Sequence, residues 1–388
     1  MQDFDFPAGQ AFWQAPAAFF QTALATGPAI RGAGEGAVAI LGHAALHALA
    51  RAPGADGHPP GNAGQLPGQD ALADLLRWGL FMQSSPLHRE LRKAVIAGLS
   101  TRRMDALQTV AAATARELVQ ALHLRSDPDL VAHVARPLAA RVFCALVGLD
   151  AARADDLART MAAAAQAFED QASPGMLEIA TGGVRALLAD LDALEARGDS
   201  ALLADIAREL PAQSPASAAG LVAGFAFDAI ESVGSGLACA LDVLLRHDLG
   251  AAMAGQAQYS IDDAVQEAFR LTSPTMFSVR MAREPLSYGG TTIAPGTTLH
   301  MWWISANHDP RAFHRPELFD PVRGARGHLT FGGGGHACLG RRLAGMLARE
   351  ALGALRPAQG PGYVRLGQTR FLPRYARMPE AAPLHRVG

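Results

Sequence analysis

The chemistry of this chain concentrates in one segment, Phe331-Gly332-Gly333-Gly334-Gly335-His336-Ala337-Cys338-Leu339-Gly340. Four consecutive glycines open backbone conformations closed to other residues and let the main chain approach a flat, bulky group. A lone cysteine follows at the mouth of a predicted helix, about 340–355. Free amides and the helix dipole there favour thiolate over thiol. Such a thiolate is a strong axial donor to haem iron, and its electron push favours O–O cleavage. Taken alone, the residues also admit a phosphate-cradling glycine loop or an inert buried cysteine. The run lacks the Lys-Ser/Thr ending of a P-loop, and no strand–loop–helix dinucleotide unit surrounds it.

Three further groupings carry polar chemistry. Asp228, Glu231, Ser232 and Ser235 fall at i, i+3, i+4 and i+7 of a long apolar helix predicted over 216–245, and Gly224 extends that stripe one turn earlier. No Lys or Arg occurs between Arg208 and Arg246. Such a stripe costs stability unless it meets partners or a wet cavity; a satisfied core network or a solvent-facing edge is the plainer reading. Glu267 and Arg270 lie three apart on one helical face, as a surface ion pair also would. His88 and Arg92 lie four apart, so two cationic groups share one face, suited to an anion or simply to solvent.

The elements that must position these groups are mostly helical. From about 86 to 210, Ala, Leu and Arg recur at threes and fours. A helix is predicted over 260–271, with Ser260 as N-cap and Asp263 at the capping-box position. After Pro274, turn signals at Gly289-Gly290 and Pro295-Gly296 separate short strands. The stretch 52–69 reads as loop by composition. The expected fold class is mainly α with a small β region, as one domain over 1–388 with β-rich parts around 275–300 and 360–388.

Composition narrows the function. The 388 residues are 49% hydrophobic with a formal net charge of −2. No basic excess suits nucleic acid, and no acidic tail suits a disordered partner-binding segment. Cys144, Cys239 and Cys338 are widely spaced, without a CxxC pair, so neither a zinc ribbon nor a disulfide framework is expected. The N-terminal residues lack the pattern of a signal peptide. Asp228 and Glu231 interrupt the longest apolar stretch, which argues against a membrane span. The expectation is a soluble, cytoplasmic protein.

The cysteine segment resembles the haem-binding signature of cytochromes P450, Phe-Gly-x-Gly-x-His-x-Cys-x-Gly, at every fixed position. The likeness runs from about residue 75 to the C-terminus, and it implies the cytochrome P450 fold with heme b between the long helix and the cysteine loop. It makes Cys338 the metal ligand, with Phe331 packed near the thiolate and Gly340 closing the motif. His336, Arg280, and His88 with Arg92 would contact the haem propionates. Glu267-Ala268-Phe269-Arg270 resembles the family's ExxR motif, which implies a structural network with Arg323. Ala306-Asn307-His308-Asp309-Pro310 resembles the family's Asn-Arg-Asp-Pro, with His308 in place of Arg.

P450s also carry Ala-Gly-x-Asp/Glu-Thr on the long helix. Ala223-Gly224 mimics its start, but would leave Ala226 and Phe227 at the acid and alcohol positions. Ser232 precedes Glu267 by 35 residues, about the family's separation, so Glu231-Ser232 becomes the acid–alcohol pair that feeds protons to dioxygen. Asp228 then departs from the family's alanine, either joining the relay or binding a polar or cationic substrate group. Phe227, Asp228, Met276, Phe277 and Ser278 are the candidate substrate pocket. The implied activity is monooxygenation of a small organic metabolite, with dioxygen and electrons from a separate ferredoxin and ferredoxin reductase. Arg89, Lys93, Arg341 and Arg342 are candidate contacts for such a donor. The alternatives are another P450 reaction class (oxidative coupling, nitrogen oxidation or peroxide-driven oxidation) and a non-catalytic haem sensor.

Overall fold

The computed structural model describes residues 2–4, 10–58, 70–168, 173–357, 362–372 and 377–387. Most of the Gly/Pro-rich stretch read as loop, 59–69, lies outside the described residues. The chain packs as two compact units, one Pro60–Gly234 and the other Met1–Pro59 with Ser235–Gly388.

The elements of the unit Pro60–Gly234 are all helices among its described residues. Serines start four of its helices: Ser100, Ser173, Ser200 and Ser217 each accept a backbone N–H from three residues on. Each such cap is worth about 1 kcal/mol. Small residues then let helices meet closely. A Cβ on Gly183 would sit 2.0 Å from the Thr160 hydroxyl, so helices Ala154–Phe168 and Pro174–Arg197 touch nearly backbone to side chain.

The helix Ala218–Leu244 is long and apolar enough to cross a membrane by length and composition, but 67% of its most apolar window is buried within the fold, as in a core helix. It is not uniform. Residues Ala218–Phe227 and Val233–Leu244 are α-helical, and the turn between them, Asp228–Ser232, is a π-helix. Such widened turns recur at functional sites.

The second unit holds a five-stranded sheet in the order β1-β2-β7-β4-β3. Its strands are β1 Ile30–Gly32, β2 Ala37–Ile40, β3 Ala55–Asp56, β4 Ser278–Ala282 and β7 Thr298–Met301. Only β2 and β7 run parallel; the other neighbours are antiparallel. The N-terminal segment therefore supplies three of the five strands, a β contribution the sequence reading placed only after Pro274. β5 Leu286–Tyr288 and β6 Thr291–Ile293 form a hairpin across Gly289-Gly290, both with positive φ, as a tight two-residue turn needs. β8 Gly362–Arg365, β9 Arg370–Leu372, β10 Met378–Ala381 and β11 Leu384–Val387 pair as β8–β11 and β9–β10.

Two apolar clusters support this unit. One gathers Ile40, Leu46, Leu299, Met301 and Trp303; the other is aromatic, with Phe4, Phe20, Phe277 and Trp302. Phe277 stacks on Trp302 at 4.4 Å, an arrangement worth about 1 kcal/mol beyond burial. Helix Ile261–Thr272 begins with the expected capping box: Ser260 Oγ accepts from Asp263 N at 3.1 Å, and the Asp263 carboxylate accepts from Ser260 N at 3.0 Å. Helix Arg341–Leu355 follows the cysteine loop.

Candidate active site

The four glycines of the cysteine loop are not equivalent. Gly332 and Gly334 have positive φ, +69° and +66°. A Cβ on Gly334 would also fall 1.9 Å from the Ala50 carbonyl oxygen, so the loop backbone lies directly on that residue. Gly335 has neither constraint, with nothing within 4 Å of its missing Cβ. The loop closes where Cys338 N donates to Phe331 O at 2.8 Å. Cys338 is exposed, whereas Cys144 and Cys239 are buried. Burial pushes the Cys144 thiol up to about 11 and the Cys239 thiol up to about 12, so both stay protonated and inert. Gly340 is the N-cap of the following helix, and a Cβ there would lie 3.6 Å from Cys338 Sγ, an ordinary contact distance.

Arg280 braces the same loop. Its guanidinium donates to Ala50 O at 2.8 Å and Gly333 O at 2.9 Å, and lies over the Trp303 ring at 5.8 Å. Burial lowers its affinity for the proton, to a pKa of about 10, against an opposing pull from Asp56. Asp56 Oδ1 lies 2.7 Å from His336 Nε2. A cation, an imidazole and a carboxylate therefore share one corner of this unit. His88 is buried and Arg92 half-buried on helix Leu87–Gly98 of the other unit.

Glu267 and Arg270 are fully buried, not a surface pair. Arg270 Nε and Nη2 donate to the two Glu267 oxygens at 2.8 Å each, and Arg323 Nε reaches Glu267 Oε1 at 3.1 Å. The remaining Arg270 donors find Asn307 O, Pro316 O and Leu318 O. A buried ion pair holds only when its donors and acceptors are satisfied in this way. Asn307 extends the network toward the cysteine loop. Its amide donates to Ser273 Oγ and Thr330 Oγ1, and its oxygen accepts from Leu329 N at 2.7 Å. Phe331 then packs edge-on against Phe269 at 5.2 Å.

On the long helix the π turn divides the polar stripe that regular α periodicity predicts. Glu231 is 0% exposed and turns to Arg136, whose Nη2 and Nε donate to its two oxygens at 3.1 and 3.3 Å. Gly234 makes this reach possible: a Cβ there would lie 3.3 Å from Arg136 Cα, so the helix starting at Arg136 runs close. Ser235 is buried, Ser232 half-buried, and Asp228 exposed. Gly224 packs on the backbone of Trp78 and Gly79. Asp228 nevertheless sits deep, and burial alone pushes its carboxyl up to about 7. Its side chain is exposed on a helix whose neighbouring residues Ala226, Ile230 and Glu231 are all buried.

Two of the residues expected in a substrate pocket belong elsewhere. Met276 is 0% exposed and Phe277 4%, both inside the aromatic cluster, where Trp302 takes the Phe277 ring face. Ser278 is half-buried and its hydroxyl accepts from Trp303 Nε1 at 3.1 Å. Phe227 is half-buried, edge to face with Phe168 at 5.3 Å. Of the four candidate donor contacts, Lys93 is paired with Glu209 at 2.9 Å, and Arg341 lies over Phe331 and reaches Gln266. Arg89 and Arg342 are exposed.

The family model described as Cytochrome P450 matches residues 259–355, which carry both the Glu267 network and the cysteine loop. The 6-deoxyerythronolide B hydroxylase of Saccharopolyspora erythraea is 30% identical over 280 residues, covering 70% of this chain and 68% of that protein. The chain belongs to the cytochrome P450 family. Cytochrome P450 FAS1 of Rhodococcoides fascians is likewise 30% identical, over 74% of this chain and 72% of that P450. The solved complex of P450BioI with a hexadecenoic acid-ligated acyl carrier protein shares the fold, with a TM-score of 0.83 at 22% identity over 97% of this chain and 100% of that one. As a P450, the chain is a haem-dependent monooxygenase of the oxidoreductase class. Sequence reasoning about this P450 missed Asp56 and Arg136. Each is one charged residue far in sequence from its partner, and no spacing rule marks it.

Proposed function

We propose that this P450 hydroxylates a small organic secondary metabolite, using dioxygen and electrons from a separate ferredoxin and ferredoxin reductase in the cytoplasm. One observation carries the reading: the single exposed cysteine stands behind a glycine loop at a helix N-terminus, while the other two are buried and protonated. A soft, accessible sulfur with backbone amides nearby fits the iron of iron protoporphyrin IX. At Gly334 the loop that carries this sulfur is seated directly on Ala50, and at Gly335 it leaves open space. Bound there, the haem supplies the redox chemistry by which one atom of dioxygen enters a C–H bond.

The chain's own residues do the rest. Cys338 presents the thiolate, and the Phe331 carbonyl fixes its backbone. Arg280 and His336 would hold propionate charge, and so would His88 and Arg92. Glu267, Arg270 and Arg323 keep the loop in register and take no part in proton or electron movement. Ser232 donates a hydrogen bond toward the oxygen site, and Glu231 holds and passes protons. Arg136 anchors Glu231 through both of its oxygens.

The test is spectroscopic and then catalytic. Purified protein, reduced and exposed to carbon monoxide, is expected to give the long-wavelength thiolate-type Soret band. Cys338→Ala should lose that band, while Cys144→Ala and Cys239→Ala keep it. A Cys338→Ala spectrum like the parent's refutes the ligand assignment. Product formation with a surrogate ferredoxin system, and not with hydrogen peroxide alone, supports the electron route; the reverse assigns a peroxide-driven enzyme.

A further inference from the structure

The long helix carries two acids three residues apart, and only one has a partner. Glu231 engages Arg136 through both oxygens. The Asp228 carboxylate has no hydrogen bond or ion pair among the described residues, and no charged neighbour opposes the desolvation that raises its pKa. Its surface is nonetheless open, at the start of the π turn that also carries Ser232. An unpaired carboxylate on a helix otherwise sunk in the core costs stability unless something arrives to meet it. The group that meets it best is a cation with apolar flanks, because a bare ammonium or quaternary nitrogen gains the full charge pairing there.

We propose that Asp228 is a specificity-determining residue that selects substrates carrying a positively charged nitrogen. This rests on the monooxygenase reading above and names its substrate class. Asp228 and Ser232 are the first and last residues of the one π turn. A nitrogen held by Asp228 therefore places atoms only a few bonds away beside the Ser232 hydroxyl. The substrate is a small amine or quaternary ammonium compound oxidised close to its nitrogen. Phe227, one residue before this acid, meets Phe168 edge to face at 5.3 Å, aromatic surface of the kind that suits such cations.

The test uses haem-loaded wild type, Asp228→Asn, Asp228→Ala and Asp228→Glu. Decyltrimethylammonium, whose nitrogen cannot ligate iron, and 1-decanol serve as matched probes, with decanoate as the anionic control. Each protein is first required to show the thiolate-type carbon monoxide band; its absence in wild type sinks the haem reading itself. Dissociation constants then come from ligand-induced Soret shifts and calorimetry. The cation-to-alcohol preference of wild type should fall at least tenfold in Asp228→Asn and Asp228→Ala and survive in Asp228→Glu, while 1-decanol changes less than twofold. An equal preference in wild type and Asp228→Asn overturns the proposal. So does unchanged cation binding with increased peroxide release in Asp228→Asn, which assigns Asp228 to proton delivery instead.

Discussion

Arg136 grips both carboxylate oxygens of Glu231, at 3.1 and 3.3 Å, across 95 residues of chain. Glu231 is fully buried, while the Arg136 side chain is 28% exposed. Removing the arginine leaves a buried charge uncompensated, at a cost of about 3–5 kcal/mol. Arg136→Gln should therefore lower the thermal midpoint markedly, and Arg136→Gln with Glu231→Gln should recover much of the loss. Calorimetric melts of the parent, the two single variants and the double variant decide it, and a double variant no more stable than Arg136→Gln would show that the pair is not the source.

Ser232 is the alcohol beside that acid, half-buried in the π turn. Ser232→Ala should raise hydrogen peroxide release relative to product, because the hydrogen bond that steers protons is lost. Ser232→Thr should keep coupling close to the parent's. Coupling unchanged in the alanine variant would mean that another residue serves the oxygen site.

The loop glycines make a sharper pair. Gly334→Ala combines a positive φ with a Cβ 1.9 Å from the Ala50 carbonyl, whereas Gly335→Ala meets no atom within 4 Å. The first should lose most haem on purification and the second should keep it, as read from Soret absorbance per milligram of protein. Equal haem content in both would contradict the loop geometry.

Acidification should weaken the fold through two histidines. Burial, with Arg270 nearby in both cases, depresses His308 and His328 to a pKa of about 3. Unfolded, each returns to about 6.5. Between those limits the unfolded chain takes up protons that the folded chain refuses. Stability is thus complete above about pH 6.5 and falls as pH drops toward 3, by up to about 1.4 kcal/mol per pH unit for each group. His328 bridges Thr330 and Gln266, so His328→Gln keeps polar contacts and should flatten the urea-midpoint profile over pH 6.5–5. A profile as steep as the parent's would assign the acid sensitivity elsewhere.

The helices and the cysteine loop were legible because their signals are local. Ser260 and Asp263 announce a helix start within four residues. The Phe331–Gly340 motif is contiguous, and its two glycines with positive φ, Gly332 and Gly334, both stand at fixed positions. Strands β1 and β2 were missed because each has three or four residues, too few for a periodicity, and β2 pairs with β7 some 260 residues away. Met276 and Phe277 were misassigned for a related reason. Apolar side chains near a site look the same in sequence whether they line a pocket or fill the core, and here Trp302 covers one of them. The stripe on the long helix failed where α periodicity failed, at Asp228–Ser232.

The contrast among the three cysteines also makes the protein self-reporting. Cys144 and Cys239 lie in the core with their protons held, and Cys338 alone is reachable. A mild alkylating reagent thus has one target in the natively folded chain, the same atom that a bound prosthetic group would shield. Counting labels per molecule then measures what fraction of a preparation lacks its pigment, without any optical standard.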